Sequence, residues 1–393
     1  MHDGMKIGVM TFWQTADNYG QVLQCWALQK YLLDRGQKPF LIRYDLVSQR
    51  PSKLQMIFQY GVFKALKDKI FHSSEVERKK ILRRENAERN VKRNFDAFRE
   101  EHLIMSDKVW HSLSELKADP PACDVLLTGS DQVWALPLSE EKFHAFFLNF
   151  GQTSIRRASY AASFSKLEYP ERDLPKLKAL LSGLDAISVR ESSSLNILEK
   201  AGYEGRVVLD PTMMLRFSDY RELMPKAEDL EKPYLYIYSI NISSPDDMDW
   251  MNLSRFALNH GFAIRSTFGT GYIPGDELFD TIAPTGVKYD YPEVGEWLRS
   301  MSEASVVATT SFHGVVFSIL ARRPFVYYPL KGMYSAGNVR VLDLLSKLGL
   351  DVCVWRPGFD YEAVLKIAWD GVGERLEVLR GESRDFLEGV LDH

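Results

Sequence analysis

At 393 residues the chain is long for a single core, so two domains are the default expectation. Hydrophobic residues make up 45% and charged residues 26%, an ordinary soluble composition. A net charge of −4 argues against nucleic acid as the main partner, because proteins that bind a phosphate backbone carry a basic excess.

Residues 5–12 read as an apolar strand, and 39–44 as a second strand. Between them 21–34 form a helix, with Val22, Leu23, Trp26, Ala27 and Tyr31 at helical spacing. The charge then becomes uneven: Lys53 to Arg93 holds twelve Lys or Arg against five Asp or Glu, an excess of +7 that leaves −11 for the rest. Such runs are usually a solvated helical insertion, here about residues 50–105. Interleaved apolar residues such as Phe58, Phe63 and Phe71 give it an apolar face beside the lysines. Peripheral contact with the cytoplasmic membrane face is therefore a second reading.

Strands reappear at 124–127, 158–162, 186–189 and 207–209, mostly separated by helical segments, the pattern of a parallel sheet covered on both faces. Asp210-Pro211 ends this half, and 218–233 is the linker. A second series follows, with strands at 234–240, 263–267, 306–308 and 325–328 and helices at 246–260, 293–300, 312–321 and 339–348. The expected fold class is α/β: two doubly wound, Rossmann-like halves, about 1–217 and 230–393, facing across a cleft that is the default ligand site. The order of strands within each sheet is not readable from this pattern.

The cysteines, Cys25, Cys123 and Cys353, are odd in number, far apart and without metal-ligand spacing, as in a cytosolic protein with reduced thiols and no metal. No apolar segment approaches membrane-spanning length, and the opening residues lack the regions of a signal peptide. The expected location is cytoplasmic.

The most informative stretch is 304–324. A strand ending in Thr309, Thr310 and Ser311 and opening into a helix at Phe312 leaves backbone amides and the positive helix end facing whatever sits above the sheet. That arrangement suits an anion. His313 would stand at its mouth as acceptor or base, and Gly314 would let a ligand approach the backbone. Equally, His313 caps the helix in a packed turn.

Four other loops carry polar residues where a ligand would be. In Asp17-Asn18-Tyr19-Gly20 each polar residue alone is an ordinary helix cap, whereas the whole loop suits hydrogen bonding to a ligand. In Ser130-Asp131-Gln132-Val133-Trp134 the carboxylate would orient a sugar hydroxyl and the indole would stack on the ring, or the loop is a capped turn with a core tryptophan. Arg190 leaves a strand end with a fork matched to carboxylate or phosphate, its competing explanation being a plain ion pair with Glu191 or another acid. Asn338 would cap the helix near residue 339. Arg340, in the first turn of that helix, opposes the dipole unless an anion is bound nearby.

Taken together, D-N-Y-G-Q-V-L-Q, G-S-D-Q-V-W, S-Y-A-A-S-F, S-V-R-E, L-D-P-T and S-F-H-G-V-V-F-S-I-L resemble the polysaccharide pyruvyl transferase family, over about residues 5–348. The resemblance implies a glycosyltransferase-B-like fold, with the acceptor on the first half, the donor on the second and the last helices packing back on the first. It implies transfer of a pyruvyl group from phosphoenolpyruvate to two hydroxyls of a sugar, giving a cyclic ketal and free phosphate. The acceptors are galactose or N-acetylhexosamine units of bacterial surface polysaccharides or their lipid-linked precursors. Neither redox cofactor nor obligatory metal is implied.

On that basis His313 is a general acid/base or phosphate ligand, Arg190 an anion clamp, and Asp131 the group that orients or deprotonates the acceptor. Asp17, Asn18, Tyr19, Gly20, Ser130, Trp134, Thr310, Ser311, Phe312, Gly314, Asn338 and Arg340 would surround the substrates. Many members have arginine and leucine where this chain has Ser311 and Phe312, and members of the serine-phenylalanine type often have aspartate where Thr310 stands. The missing charge then comes from Arg340, Arg265 or Lys331, or the donor differs. The alternatives are a glycosyltransferase with a nucleotide-sugar donor and a non-catalytic sugar-binding protein.

Overall fold

A computed structural model describes residues 4–15, 18–46, 91–226, 233–242, 245–268 and 287–392. The first half runs β1 (Lys6–Met10), α1 (Tyr19–Leu33), β2 (Lys38–Tyr44), α2 (Phe95–His102), β3 (Met105–Trp110), α3 (Leu113–Ala118), β4 (Val125–Thr128), β5 (Arg156–Ala162), α4 (Leu174–Leu181), β6 (Ala186–Val189), α5 (Ser192–Ala201), β7 (Arg206–Val207) and α6 (Pro211–Met214). The second runs β8 (Tyr234–Ser239), α7 (Trp250–Asn259), β9 (Ala263–Phe268), β10 (Val287–Tyr289), α8 (Val294–Glu303), β11 (Val306–Thr309), α9 (Phe312–Leu320), β12 (Phe325–Tyr327), α10 (Asn338–Leu348) and α11 (Trp369–Leu391).

Both sheets are parallel, ordered β3-β2-β1-β4-β5-β6-β7 and β10-β9-β8-β11-β12. In each the first strand is central and the chain reverses direction beside it. The switch points lie between β1 and β4 and between β8 and β11, the places where doubly wound sheets in general bind their ligands. Central strands β4, β8 and β11 are buried at every residue, as sheets covered on both faces require.

Two edge strands, β3 and β10, were not anticipated. β3, with the sequence Met-Ser-Asp-Lys-Val-Trp, has a half-exposed burial pattern and no apolar run to announce it. The helix anticipated at 246–260 is broken: Asp249 takes the left-handed conformation (φ 47°) and α7 starts after it. Of the anticipated basic insertion, residues 47–90 lie outside the described residues; α2 and β3 occupy its end.

The halves meet through α1, which packs against β2, α6 and, across the boundary, α9. That position explains why α1 is apolar almost all round rather than on one stripe. The last helix, α11, returns to the first half. Arg380 donates to the Met213 and Leu215 carbonyls at 2.6 and 2.7 Å, and Ser383 Oγ accepts from the Leu209 amide at 2.9 Å. Among the described residues no helix is long and apolar enough to cross a membrane.

Candidate active site

Four strand ends of the two sheets supply the polar groups. After β4 the chain turns sharply. Gly129 has φ 104°, and a β-carbon there would collide with the Tyr160 carbonyl, so only glycine fits. The following Gly129–Ser130 peptide is cis, and Asp131 is left-handed at φ 77°. The Ser130 carbonyl accepts from Thr11 Oγ1 at 2.9 Å, and Ser130 Oγ donates to Asp210 Oδ2 at 2.7 Å. Asp131 thereby faces the end of β6, where Arg190 Nη2 lies 3.3 Å from its Oδ1, while Gln21 Nε2 of α1 lies 3.4 Å from its Oδ2.

Arg190 spans two carboxylates, because its Nη1 also donates to Asp210 Oδ2 at 2.7 Å. Asp210 is the hub of this half. Its other oxygen, Oδ1, accepts from the Thr212 amide at 3.1 Å and the Thr212 hydroxyl at 2.6 Å, the side chain capping the short α6. The ion pair considered for Arg190, with Glu191 or another acid, is made with Asp131 and Asp210, while Glu191 accepts from the Ser163 and Ser194 hydroxyls and the Ser165 amide.

The second half contributes the turn from β11 into α9. Thr309 Oγ1 donates to the Tyr238 carbonyl and accepts from the Ser311 amide, which fixes the turn. Ser311 is the N-cap, but its side chain makes no capping bond, so the first-turn amides gain no side-chain acceptor from it. His313 follows, 6% exposed, with Nε2 3.6 Å from Asp210 Oδ2 across the boundary between the halves. That is an ion-pair distance, just too long for a hydrogen bond. The Phe312 ring stands T-shaped to His313 and carries two guanidinium groups, Arg190 at 4.5 Å and Arg340 at 5.7 Å from its centroid.

Burial penalises every charge here, and the neighbours decide the outcome. Burial would push the Asp210 carboxyl up, but the His313 imidazole, Arg190 and Thr212 hold it well below the usual carboxylate range. Asp131 is likewise lowered against its burial by Arg190, His313 and Arg340. Burial lowers Arg190, and Asp210 and Asp131 more than restore it. Arg340 goes the other way: burial, then the like charge of Arg190, depress it to about 10. Among the described residues it has no carboxylate within ion-pair distance. Its Nε donates to the Gly337 carbonyl at 3.3 Å, and with the Gln132 amide turned to match its donors and acceptors the Gln132 oxygen accepts from the guanidinium at 3.2 Å.

Of the residues singled out in the sequence, Ser130, Asp131, Arg190, Ser311, Phe312, His313 and Arg340 come together here, and Asp17 lies outside the described residues. The others have different work. Gly20 lies under the His313 ring, where any side chain would collide with it. The Asn18 side chain caps α1 through the Gln21 amide. Tyr19 is fully buried in the second half, stacked on Trp297 at 5.0 Å with its hydroxyl on the Pro292 carbonyl. Trp134 offers no face to a sugar: it is 1% exposed, stacked on Phe147 and bonded to the Phe146 carbonyl. Thr310 Oγ1 both donates to and accepts from the Ile240 backbone. At Gly314 a β-carbon would strike Thr309 Oγ1, so the close packing of this turn requires glycine there. Asn338 does not cap α10; its amide ties down Leu330 N and O and accepts from Tyr327.

Of the three cations considered for the missing charge, Arg265 is paired with Asp290 and Lys331 with Asp247, while Arg340 has no such partner among the described residues. Asp210 was missed. Its signal was the L-D-P-T motif, read as the end of a half and as one of the family motifs, with no role given to its carboxylate. No cluster with metal-binding composition occurs among the described residues.

A family model for polysaccharide pyruvyl transferases matches residues 18–331. No curated protein matches the chain. Among solved structures it is similar to a UDP-N-acetylglucosamine 2-epimerase, at 11% identity with 100% of this chain and 96% of that one covered and a TM-score of 0.53. It is also similar to the UDP-N-acetylglucosamine 2-epimerase from Rickettsia bellii, at 8% identity, 99% and 97% coverage and a TM-score of 0.50. At such identities the likeness is one of fold, the two facing Rossmann-like halves of the glycosyltransferase-B type. With the family model spanning most of its length, the chain belongs to the polysaccharide pyruvyl transferase family.

Proposed function

We propose that this protein moves a pyruvyl group from phosphoenolpyruvate to two hydroxyls of a sugar, forming a cyclic ketal and releasing phosphate. The acceptor is a galactose or N-acetylhexosamine unit of a bacterial surface polysaccharide or its lipid-linked precursor, reached from the cytoplasm. The observation that carries the reading is the convergence of His313 and Arg340 from the second half on Asp131, Arg190 and Asp210 from the first.

The reaction needs an acid for the methylene carbon, a base for the hydroxyls, and positive charge for phosphate and carboxylate. A proton added to the methylene makes C2 electrophilic. One sugar hydroxyl adds there and loses its proton, and the second displaces phosphate. The two hydroxyl protons balance the one placed on the methylene and the one that leaves with phosphate. No electron changes hands, so no redox cofactor is required.

His313 serves as acid/base. Arg190 and Arg340 hold the donor's anionic groups beside the open first turn of α9, and Asp131 orients or deprotonates the acceptor. The test is incubation with phosphoenolpyruvate and a panel of galactosides and N-acetylhexosamine lipids. Phosphate release in step with a carboxyethylidene mass gain is expected. Turnover of nucleotide sugars, with phosphoenolpyruvate untouched, would overturn the reading.

A further inference from the structure

We infer that Asp210 is a positioning residue that fixes His313 with its Nε2 proton toward the carboxylate, leaving Nδ1 as the nitrogen that exchanges protons with substrate. The inference rests on the acid/base role of His313 proposed above. Three observations on the two ring nitrogens carry it.

First, Nε2 is buried without a hydrogen-bond partner, and Asp210 Oδ2 lies 3.6 Å from it. A buried polar nitrogen left unpaired is costly, and a proton on Nε2 directed at Asp210 reduces that cost. Second, Nδ1 faces the backbone at the start of α1, with Gly20 packed against it, and not a carboxylate. Third, Asp210 cannot turn away. Ser130, Arg190 and the Thr212 amide and hydroxyl hold both of its oxygens, so the carboxylate is fixed before the ring meets it.

Which nitrogen of a neutral imidazole carries the proton is set by the bond that the other one makes. A carboxylate can only accept. It therefore selects the Nε2–H tautomer and leaves the Nδ1 lone pair free. The charged groups around the ring all come from other elements: Asp210 after β7, Asp131 after β4, Arg190 after β6 and Arg340 on α10. Of these, only Asp210 lies within ion-pair distance of it.

Ligand-free protein labelled with ¹⁵N-histidine tests this directly. Long-range ¹H–¹⁵N correlations, recorded where the ring is neutral, distinguish the two tautomers, and the His313 signal is the one lost in His313→Gln. The wild type is expected to show Nε2–H, and Asp210→Asn a reduced share of it. In turnover Asp210→Asn should lower kcat by about 10²-fold or more with a smaller change in KM, the range expected for loss of general acid–base catalysis, and Asp210→Glu should restore part. A wild-type ring in the Nδ1–H form overturns the inference. So does a folded Asp210→Asn protein with the tautomer unchanged, or one with kcat unchanged. Because the spectra need no substrate, failure of the proposed reaction leaves them readable, and if Asp210→Asn does not fold, the wild-type spectrum decides alone.

Discussion

The backbone of Gly20, at the start of α1, lies directly against the imidazole of His313, at the start of α9, so that a single added β-carbon would occupy the ring's own space. Two motifs almost three hundred residues apart are thus one packing unit. The glycine of D-N-Y-G is there to let the histidine of S-F-H-G reach Asp210.

Gly20→Ala should therefore damage activity more than stability. The ring would be pushed off Asp210 by something like an ångström, and a displacement of that size at a reacting group costs about 10²-fold in rate. Alanine is the better helix former of the two, so any unfolding penalty comes from the clash rather than from α1 itself. Steady-state kinetics beside thermal unfolding separates the two effects. Full turnover in the alanine variant would mean that the ring does not need its present place.

Arg340 should prove to be a donor residue whose loss shows in binding. Its charge is buried beside Arg190 and lacks a carboxylate among the described residues, so an incoming anion supplies what the protein does not. Removing a charged hydrogen-bond donor is worth about 1.5–3 kcal/mol, so Arg340→Gln should raise the KM for phosphoenolpyruvate by roughly 10-fold to 150-fold. Arg340→Lys should recover only part, because a point charge does not reproduce the planar fork that Gln132 and the donor share. An unchanged KM in Arg340→Gln would return the search to other cations.

Trp134→Ala is the contrasting case, a residue of the site motif whose role is in the core. The indole is stacked on Phe147, packed on Phe164 and bonded to the Phe146 carbonyl, so its removal opens a cavity and strands an acceptor. The cost should be about 3–5 kcal/mol in denaturant unfolding. The KM for the acceptor, measured on the fraction that folds, should barely move. A large rise in that KM with unchanged stability would restore the indole as a sugar platform.

Trp134 also shows where reading the sequence stops. The doubly wound halves and the location of Asp131, Arg190 and His313 at strand ends were legible, because buried parallel strands announce themselves as apolar runs and their loops follow at once. Residue type in a loop does not reveal whether the side chain faces cleft or core. Tyr19, Trp134 and Thr310 look like ligand contacts in the sequence and are packed in the structure. Asp210 is the converse, an unremarkable carboxylate before a proline. It matters only because the sheet order sets β7 beside β6, which brings it to Arg190, and because the second half delivers His313. The edge strands β3 and β10 were missed for a related reason: a strand with one free edge needs no apolar run.

Acid stability should report the same cluster. Asp131 and Asp210 are both held below their ordinary range in the folded protein, so the unfolded chain binds more protons near pH 4 than the folded one does. Their stabilising contribution is complete above the unfolded carboxylate value, about 4, and is lost as pH falls below it toward the depressed folded values. The melting temperature should accordingly drop more steeply below about pH 4 in the wild type than in Asp210→Asn, which has one such carboxylate fewer, while near neutral pH the variant is the less stable of the two. Unfolding curves taken from pH 7 down to pH 3 on both proteins provide the check. Parallel profiles would mean that Asp210 titrates alike in the folded and unfolded chain, against the close approach of Arg190 and His313.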